Sequence, residues 1–260
     1  MTVTAPPAGQ VRELAGRLRA ARENRRAIAQ LSDDVPGLDL TTAYAVQRAL
    51  RDEAGELSGW KLGVTSRAKQ LQVGVDSPIR GFLAAHNGLD VGEPLQVDQH
   101  IAPRCEPEVV LVMGRDLAGP HVTTADVLAA TAAVAVGIEV LDSRFTDYRF
   151  TMPDVVADNT SAGRYLVGSL VEVGGIDLRR VGVVLEHRGE VVATASGAAA
   201  LGHPASAVAW LVRSLHADGE GLTAGEIVLS GGLTAAVPVV AGDSVVVTID
   251  RLGALELACE

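Results

Sequence analysis

Apolar residues recur at two different spacings along this chain. In the first third, Val11, Leu14, Ala15, Leu18, Ile28 and Leu31 fall near helical spacing among many arginines, which predicts an amphipathic helix with a solvated basic face. The ten residues "MTVTAPPAGQ" ahead of it are small and proline-containing, and predict a frayed lead-in. "SDDVPGLDL" interrupts the helical pattern, and "TTAYAVQRALRDEAGEL" predicts a second helix capped by Thr41 or Thr42. After Gly55 the pattern changes to short apolar or alternating runs punctuated by glycine: "GWKLGV", "EVVLVM", "GIEVLD", "RYLVG", "EIVLS" and "DSVVVTI". "GVVLEHRGEVVAT" predicts a hairpin turning at Arg188 and Gly189. Two further stretches, 123–136 and 204–219, carry helical spacing, the second ending on Gly219. Strands outnumber helices here without alternating regularly with them, so the expected class is α+β with curved, mixed sheets. The expected division is a helical region over 1–57 and one strand-rich unit over 58–260.

Composition narrows the function. Nearly half of the 260 residues are hydrophobic but only 3% are aromatic, so the core must be built from Ala, Val and Leu. A net charge of −10, with no basic tract beyond the first helix, argues against nucleic acid as a partner. No apolar run is long enough to span a membrane, and the two cysteines form no C-x-x-C and follow no secretory signal pattern; a cytoplasmic setting is expected. There is no G-x-G-x-x-G, no phosphate loop and no G-x-S-x-G, and the six histidines never pair at metal-ligand spacing. His203, in "LGHPAS", is a candidate site residue, with a capping or packing turn before a helix as the plainer reading.

The chemistry gathers around carboxylates. If "RCEPEVVLVM" is a strand, Glu106 and Glu108 project from one face while Pro107 points away. At ~4 Å two such charges repel by about 4 kcal/mol even at an effective dielectric near 20, so a compensating cation is implied unless both face solvent. Glu139 lies inside the apolar run "AVAVGIEVLDSR", where an ionised carboxylate needs a partner, either a cation at the site or an arginine such as Arg144. Three glutamates from two strands form a hard-oxygen set suited to Mg²⁺ or Mn²⁺. Lys61, between Trp60 and Leu62, either snorkels to the surface or faces these acids and offsets their charge.

Taken in order, "GWKLGVTSRAKQLQVGVDSPIRGFL", "PRCEPEVVLVM", "GIEVLDSRF", "DVVADNTSAGRYLVG", "GHPASAVAWL" and "AGEIVLSGGLTAAVPVVAGDSVVV" resemble the signature blocks of the 2-keto-4-pentenoate hydratase and 4-oxalocrotonate decarboxylase family, within the fumarylacetoacetase-like fold. The resemblance spans roughly residues 10–258 and implies a helical N-terminal part joined to a mixed β-roll with flanking helices. It implies Glu106, Glu108 and Glu139 as Mg²⁺ ligands, with Mn²⁺ as a substitute, and Lys61 beside the metal. It makes Lys61, Asp158 and Ser161 the catalytic candidates, Lys61 to support the dienolate charge or relay a proton, and Thr65, Asn159 and His203 substrate contacts. The runs "TSRAKQLQVGVDSPI" and "SRFTDYRFTMPDVVADN" look more like the decarboxylase branch. That branch implies loss of CO₂ from a 2-oxo-3-enedioate to give 2-hydroxypenta-2,4-dienoate, with Arg80, Arg144, Arg149 and Arg164 as candidates to recognise the distal carboxylate. The alternatives are a hydratase of the dienoate, or a non-catalytic member that binds a metabolite or partner. The resemblance also implies a homo-oligomer or a complex with a related hydratase or decarboxylase. The chain departs from the family at Val109-Val110-Leu111, where Ile-Ala-Phe is typical, and at Cys105, which puts the substrate in question.

Overall fold

A computed structural model describes residues 6–66, 70 and 77–260. The start of the expected lead-in and most of "RAKQLQVGVD" in the first signature block therefore lie outside the described residues. Helix α1 (Ala8–Glu23) begins three residues earlier than the expected frayed segment allows, and it buries Leu14, Ala15, Leu18 and Ala21. It ends well before Ile28, because Arg25 adopts a left-handed backbone; Ile28 instead bridges to Phe145, and Leu31 opens the short helix α2 (Leu31–Asp34). Helix α3 (Leu40–Glu53) starts earlier than the sequence suggested. Its cap is Asp39, whose carboxylate accepts from the Thr42 amide at 2.8 Å, so neither Thr41 nor Thr42 serves. These helices share an apolar cluster with Phe145 and with helix α5 (Met152–Ala157).

The strands form two sheets. The larger runs β2 (Ile79–Ala84), β1 (Leu57–Gly63), β9 (Ile227–Leu229), β4 (Arg104–Met113), β5 (Thr131–Leu141), β6 (Ala162–Val167) and β3 (Gly88–Leu89), with β10 (Val237–Pro238) added beside the start of β4. It is mixed: β1 is antiparallel to β2 and parallel to β9, whereas β4 and β5 are antiparallel over their length. The smaller sheet runs β12 (Gly253–Ala258), β11 (Ser244–Ile249), β7 (Gly182–His187) and β8 (Glu190–Ser196). Its β7–β8 hairpin turns at Arg188 and Gly189, both with positive φ, as the sequence predicted.

The main core lies between the sheets and helix α6 (Pro204–His216), which buries Ala205, Val208, Leu211, Val212 and Leu215 against Val109 and Leu111. The stretch 123–136 divides differently from the expected single helix. Helix α4 (Thr124–Ala130), with a Thr123–Asp126 capping box, gives way at once to β5. Small and β-branched residues at 131–136 satisfy both spacings, and ten residues of β4 need a partner strand, so pairing decides.

Candidate metal and substrate site

The register of β4 against β5 builds the acidic cluster. Glu106 stands directly opposite Glu139, and Glu108 opposite Gly137, so all three carboxylates rise from one face of the sheet. Gly137 is required there, since a Cβ would come within 2.6 Å of the Val110 side chain. One carboxylate oxygen from each glutamate lies within 4.8 Å of the others. The three residues are 6%, 0% and 1% exposed for Glu106, Glu108 and Glu139, which excludes the solvent-facing reading.

The same row of the sheet delivers the cation. Lys61 pairs with Leu229, which pairs with Val110, so Lys61 projects from the face that carries Glu108. Its ammonium is buried, 2.8 Å from Glu139 Oε1, and donates to the Thr160 carbonyl at 3.0 Å. Glu139 therefore partners Lys61 rather than Arg144. The Gly231 amide donates to Glu108 Oε2 at 2.6 Å, and this glycine has φ +110 with no room for a Cβ beside Thr65. Burial first, then the neighbouring Glu139, pushes the Glu108 carboxyl well above the usual range; burial also raises Glu139, against the opposing pull of Lys61.

A cavity of about 440 Å³ opens over this cluster, with Lys61, Glu106 and Ser161 on its wall. Much of the remainder is apolar, from Ile79, Leu141, Phe150, Met152 and Val155. Arg104 also faces it, its guanidinium 3.9 Å from the Tyr148 ring centroid, and it makes no ion pair among the described residues. Tyr148 is anchored by its hydroxyl, 3.0 Å from the Ala102 carbonyl and 3.1 Å from that of Leu141. Arg104 escaped the sequence reading although its parity gave a usable signal: it lies two residues before Glu106 and so shares its face. Tyr148 gave no comparable signal.

Several expected site residues are placed elsewhere. Arg80 turns away to pair with Asp218, donates to Ser214 Oγ at 2.9 Å, and stacks over Tyr44, so it does not line the cavity. Arg144 is committed to Asp158 and to the carbonyls of Asp142, Asp158 and Ala162. Asp158 correspondingly receives Arg144 and, at 3.5 Å, Ser143 Oγ; burial holds its carboxyl up at about 6 despite Arg144. Asn159 spends both ends of its amide on the main chain of Phe82. Arg149 is exposed, and Arg164 reaches Glu93 and the His86 carbonyl. His203 is the cap of α6, its Nδ1 accepting from the Ala205 amide at 3.0 Å, which is the plainer of the two readings. Thr65 packs its buried hydroxyl against Gly231, behind Glu108. The polar side chains of Asp158 and Asn159 thus support the wall, and from that block Ser161 reaches the cavity.

The acidic cluster fits a divalent cation. Among the described residues Glu108 Oε1 and Glu139 Oε2 are buried without a hydrogen bond, a costly state for a carboxylate, and the ligand atoms of the cluster are hard oxygens with no nitrogen or sulfur among them.

Comparison with known proteins identifies the family. The model of the family described as "Fumarylacetoacetate (FAA) hydrolase C-terminal" matches residues 42–258. A 4-oxalocrotonate decarboxylase of Pseudomonas putida is 39% identical over 251 residues, covering 95% of each chain. A 2-keto-4-pentenoate hydratase of Burkholderia vietnamiensis is 41% identical over 250 residues, covering 94% of this chain and 95% of its own. Among solved structures, the 4-oxalocrotonate decarboxylase of Pseudomonas putida G7 complexed with magnesium and adipate superposes with a TM-score of 0.94 at 38% identity, over 98% of this chain and 99% of that one. The protein belongs to the fumarylacetoacetate hydrolase family, among relatives that include both 4-oxalocrotonate decarboxylases and 2-keto-4-pentenoate hydratases.

Proposed function

We propose that the chain is a divalent-cation-dependent lyase that decarboxylates a 2-oxo-3-enedioate to 2-hydroxypenta-2,4-dienoate, with Glu106, Glu108 and Glu139 holding the cation. The observation that carries this reading is the two-sided cavity, in which Lys61 and Glu106, the latter clustered with Glu108 and Glu139, meet an apolar wall bearing Arg104. A bound Mg²⁺ supplies Lewis-acid polarisation of the 2-oxo group. The protein's own groups do the rest. As the bond to the distal carboxylate breaks and CO₂ leaves, its electron pair passes through the conjugated chain to the C2 oxygen, which then takes a proton from solvent to give the 2-hydroxy product. Lys61, fixed between Glu139 and the Thr160 carbonyl, supplies preorganised positive charge for that oxygen. The apolar wall keeps water from the departing carboxylate, and Arg104 recognises the substrate as an anion. The adipate bound by the Pseudomonas decarboxylase, a six-carbon diacid, supports a dicarboxylate of this length.

A hydratase is the second reading, favoured by the 41% identity to the Burkholderia enzyme. Here Ser161, whose buried hydroxyl has no hydrogen-bond partner among the described residues, would hold the attacking water. One paired assay separates the readings: the protein with and without Mg²⁺ is given 2-oxohex-3-enedioate and, separately, 2-hydroxypenta-2,4-dienoate, while CO₂ and ultraviolet absorbance are followed. Metal-dependent CO₂ release from the first supports the decarboxylase. Loss of the dienoate signal without CO₂ makes it a hydratase, and silence with both leaves a binding protein or another substrate.

A further inference from the structure

Asn159, Thr160 and Ser161 have φ of 48°, 55° and 56°, three consecutive non-glycine residues in the left-handed region. L-residues visit this region singly; a run of three persists only where the surroundings over-determine it. The surroundings here are specific. The Asn159 side chain pairs with Phe82 much as a neighbouring strand would, accepting from its amide at 2.9 Å and donating to its carbonyl at 3.0 Å. Thr160 Oγ1 donates to the Arg80 carbonyl at 3.0 Å, and the Asp142 amide donates to the Ser161 carbonyl at 2.8 Å. Strand β2 approaches so closely at Gly81 that a Cβ there would meet the Asn159 carbonyl at 2.8 Å.

The strained turn has two outputs, and both point into the site. The Thr160 carbonyl accepts from Lys61, and the Ser161 hydroxyl reaches the cavity wall. We infer that Asn159 is a positioning residue: by pairing with Phe82 it holds the left-handed turn that orients Lys61 and Ser161. Rotating this turn toward ordinary backbone angles would swing the Thr160 carbonyl away from Lys61, leaving the ammonium to Glu139 alone. This inference rests on the reading of the cavity as a catalytic site.

The test uses Asn159→Ala and Asn159→Asp, the second retaining an acceptor for the Phe82 amide but no donor for its carbonyl. Gln47→Ala is the control, because Gln47 is another buried amide, bonded to the carbonyls of Arg80 and Val156, with no contact to Lys61 or Ser161 in those bonds. Crystal structures of the variants, kcat and KM at saturating Mg²⁺, and the Mg²⁺-induced thermal shift are measured. Expected are loss of the Lys61–Thr160 bond, a fall in kcat of about 10- to 100-fold with KM changed far less, and an intact Mg²⁺ shift. Gln47→Ala should lower thermal stability and leave kcat in place. A turn and a Lys61 bond unchanged in the Asn159 variants would overturn the inference, as would a kcat no lower than that of the control. If the wild-type protein turns over neither substrate, the catalytic reading fails, and the variant structures alone decide whether Asn159 holds the turn. Should the alanine variant not fold, the aspartate variant carries the same comparison.

Discussion

Replacing Glu108 by Gln should make the metal-free protein more stable than wild type and the metal-loaded protein less stable. Glu108 and Glu139 present oxygens within 4.8 Å of each other in a buried setting. At that separation two full charges repel by about 3.5 kcal/mol at an effective dielectric near 20. Part of this is already relieved, because burial and Glu139 raise the Glu108 carboxyl and keep it protonated over a wider range of pH. Part is also offset by Lys61, whose attraction to Glu108 the substitution removes. The amide keeps an acceptor for the Gly231 amide and places a neutral donor toward Glu139. A net gain of about 1–3 kcal/mol follows for the metal-free protein, or roughly 2–10 °C for a domain of this size. The wild-type protein gains about 4.1 kcal/mol from Mg²⁺ at a thousand times its Kd, more than the variant's metal-free advantage, whereas the variant, short of one anionic ligand, gains little. Thermal denaturation in EDTA and in excess Mg²⁺ reads both effects. With EDTA the variant should melt above wild type; with Mg²⁺ it should melt below. A variant that melts below wild type in EDTA, or that keeps the full Mg²⁺ gain, would refute the reasoning.

Three other substitutions probe separate parts of the molecule. Arg104→Met should raise KM for an anionic substrate by about 10-fold or more while leaving the Mg²⁺ thermal shift intact; a rise confined to the dicarboxylate, measured against the dienoate, would assign Arg104 to the distal end. Arg144→Met removes the buried partner of Asp158 and should cost about 3–5 kcal/mol in denaturant unfolding, and a loss below about 1 kcal/mol would contradict the clamp described for that pair. Arg188 first, with the Val240 amide and His187 adding to it, holds the Asp243 carboxyl below the usual range. Because that folded value is depressed, the stability it contributes is present above about pH 4, the ordinary carboxylate value, and is lost as pH falls further. Asp243→Asn should therefore lower the melting temperature at pH 7 and flatten its decline below pH 4, and parallel curves for the two proteins would exclude this linkage.

The sequence pattern reached the acidic cluster because β-strand parity is a local property. Residues 106 and 108 must share a face once the segment is extended, and Glu139 stood out as an acid within an apolar run. The hairpin at Arg188 and Gly189 was legible for the same local reason. Register and side-chain commitment were not legible. Nothing in "GWKLGVTS" says that Lys61 lies in one cross-strand row with Leu229 and Val110, since that depends on β9 inserting between β1 and β4. Arg80, Arg144, Asp158 and Asn159 were sensible candidates by residue type and motif, but each is consumed by a partner distant in the chain or on the far side of the wall. The segment 131–136 was misjudged because small apolar residues fit either period, and only its pairing with β4 selects the strand.

The direction in which β4 and β5 are joined sets the order in which the site can assemble. Helix α4 connects them at the Met113–Thr131 end, so loop closure is least costly there, and pairing that grows from this end joins Val112 with Ala133 and Val110 with Ala135 before it reaches the acids. Glu106 meets Glu139 near the open end of the ladder, just before Arg104 meets Leu141. A folding chain thus secures apolar pairs first and confronts like charges late, when the strands already hold them in register. The chemistry occupies the part of the hairpin whose formation the rest can drive, and a folding nucleus around Val110 need not include it.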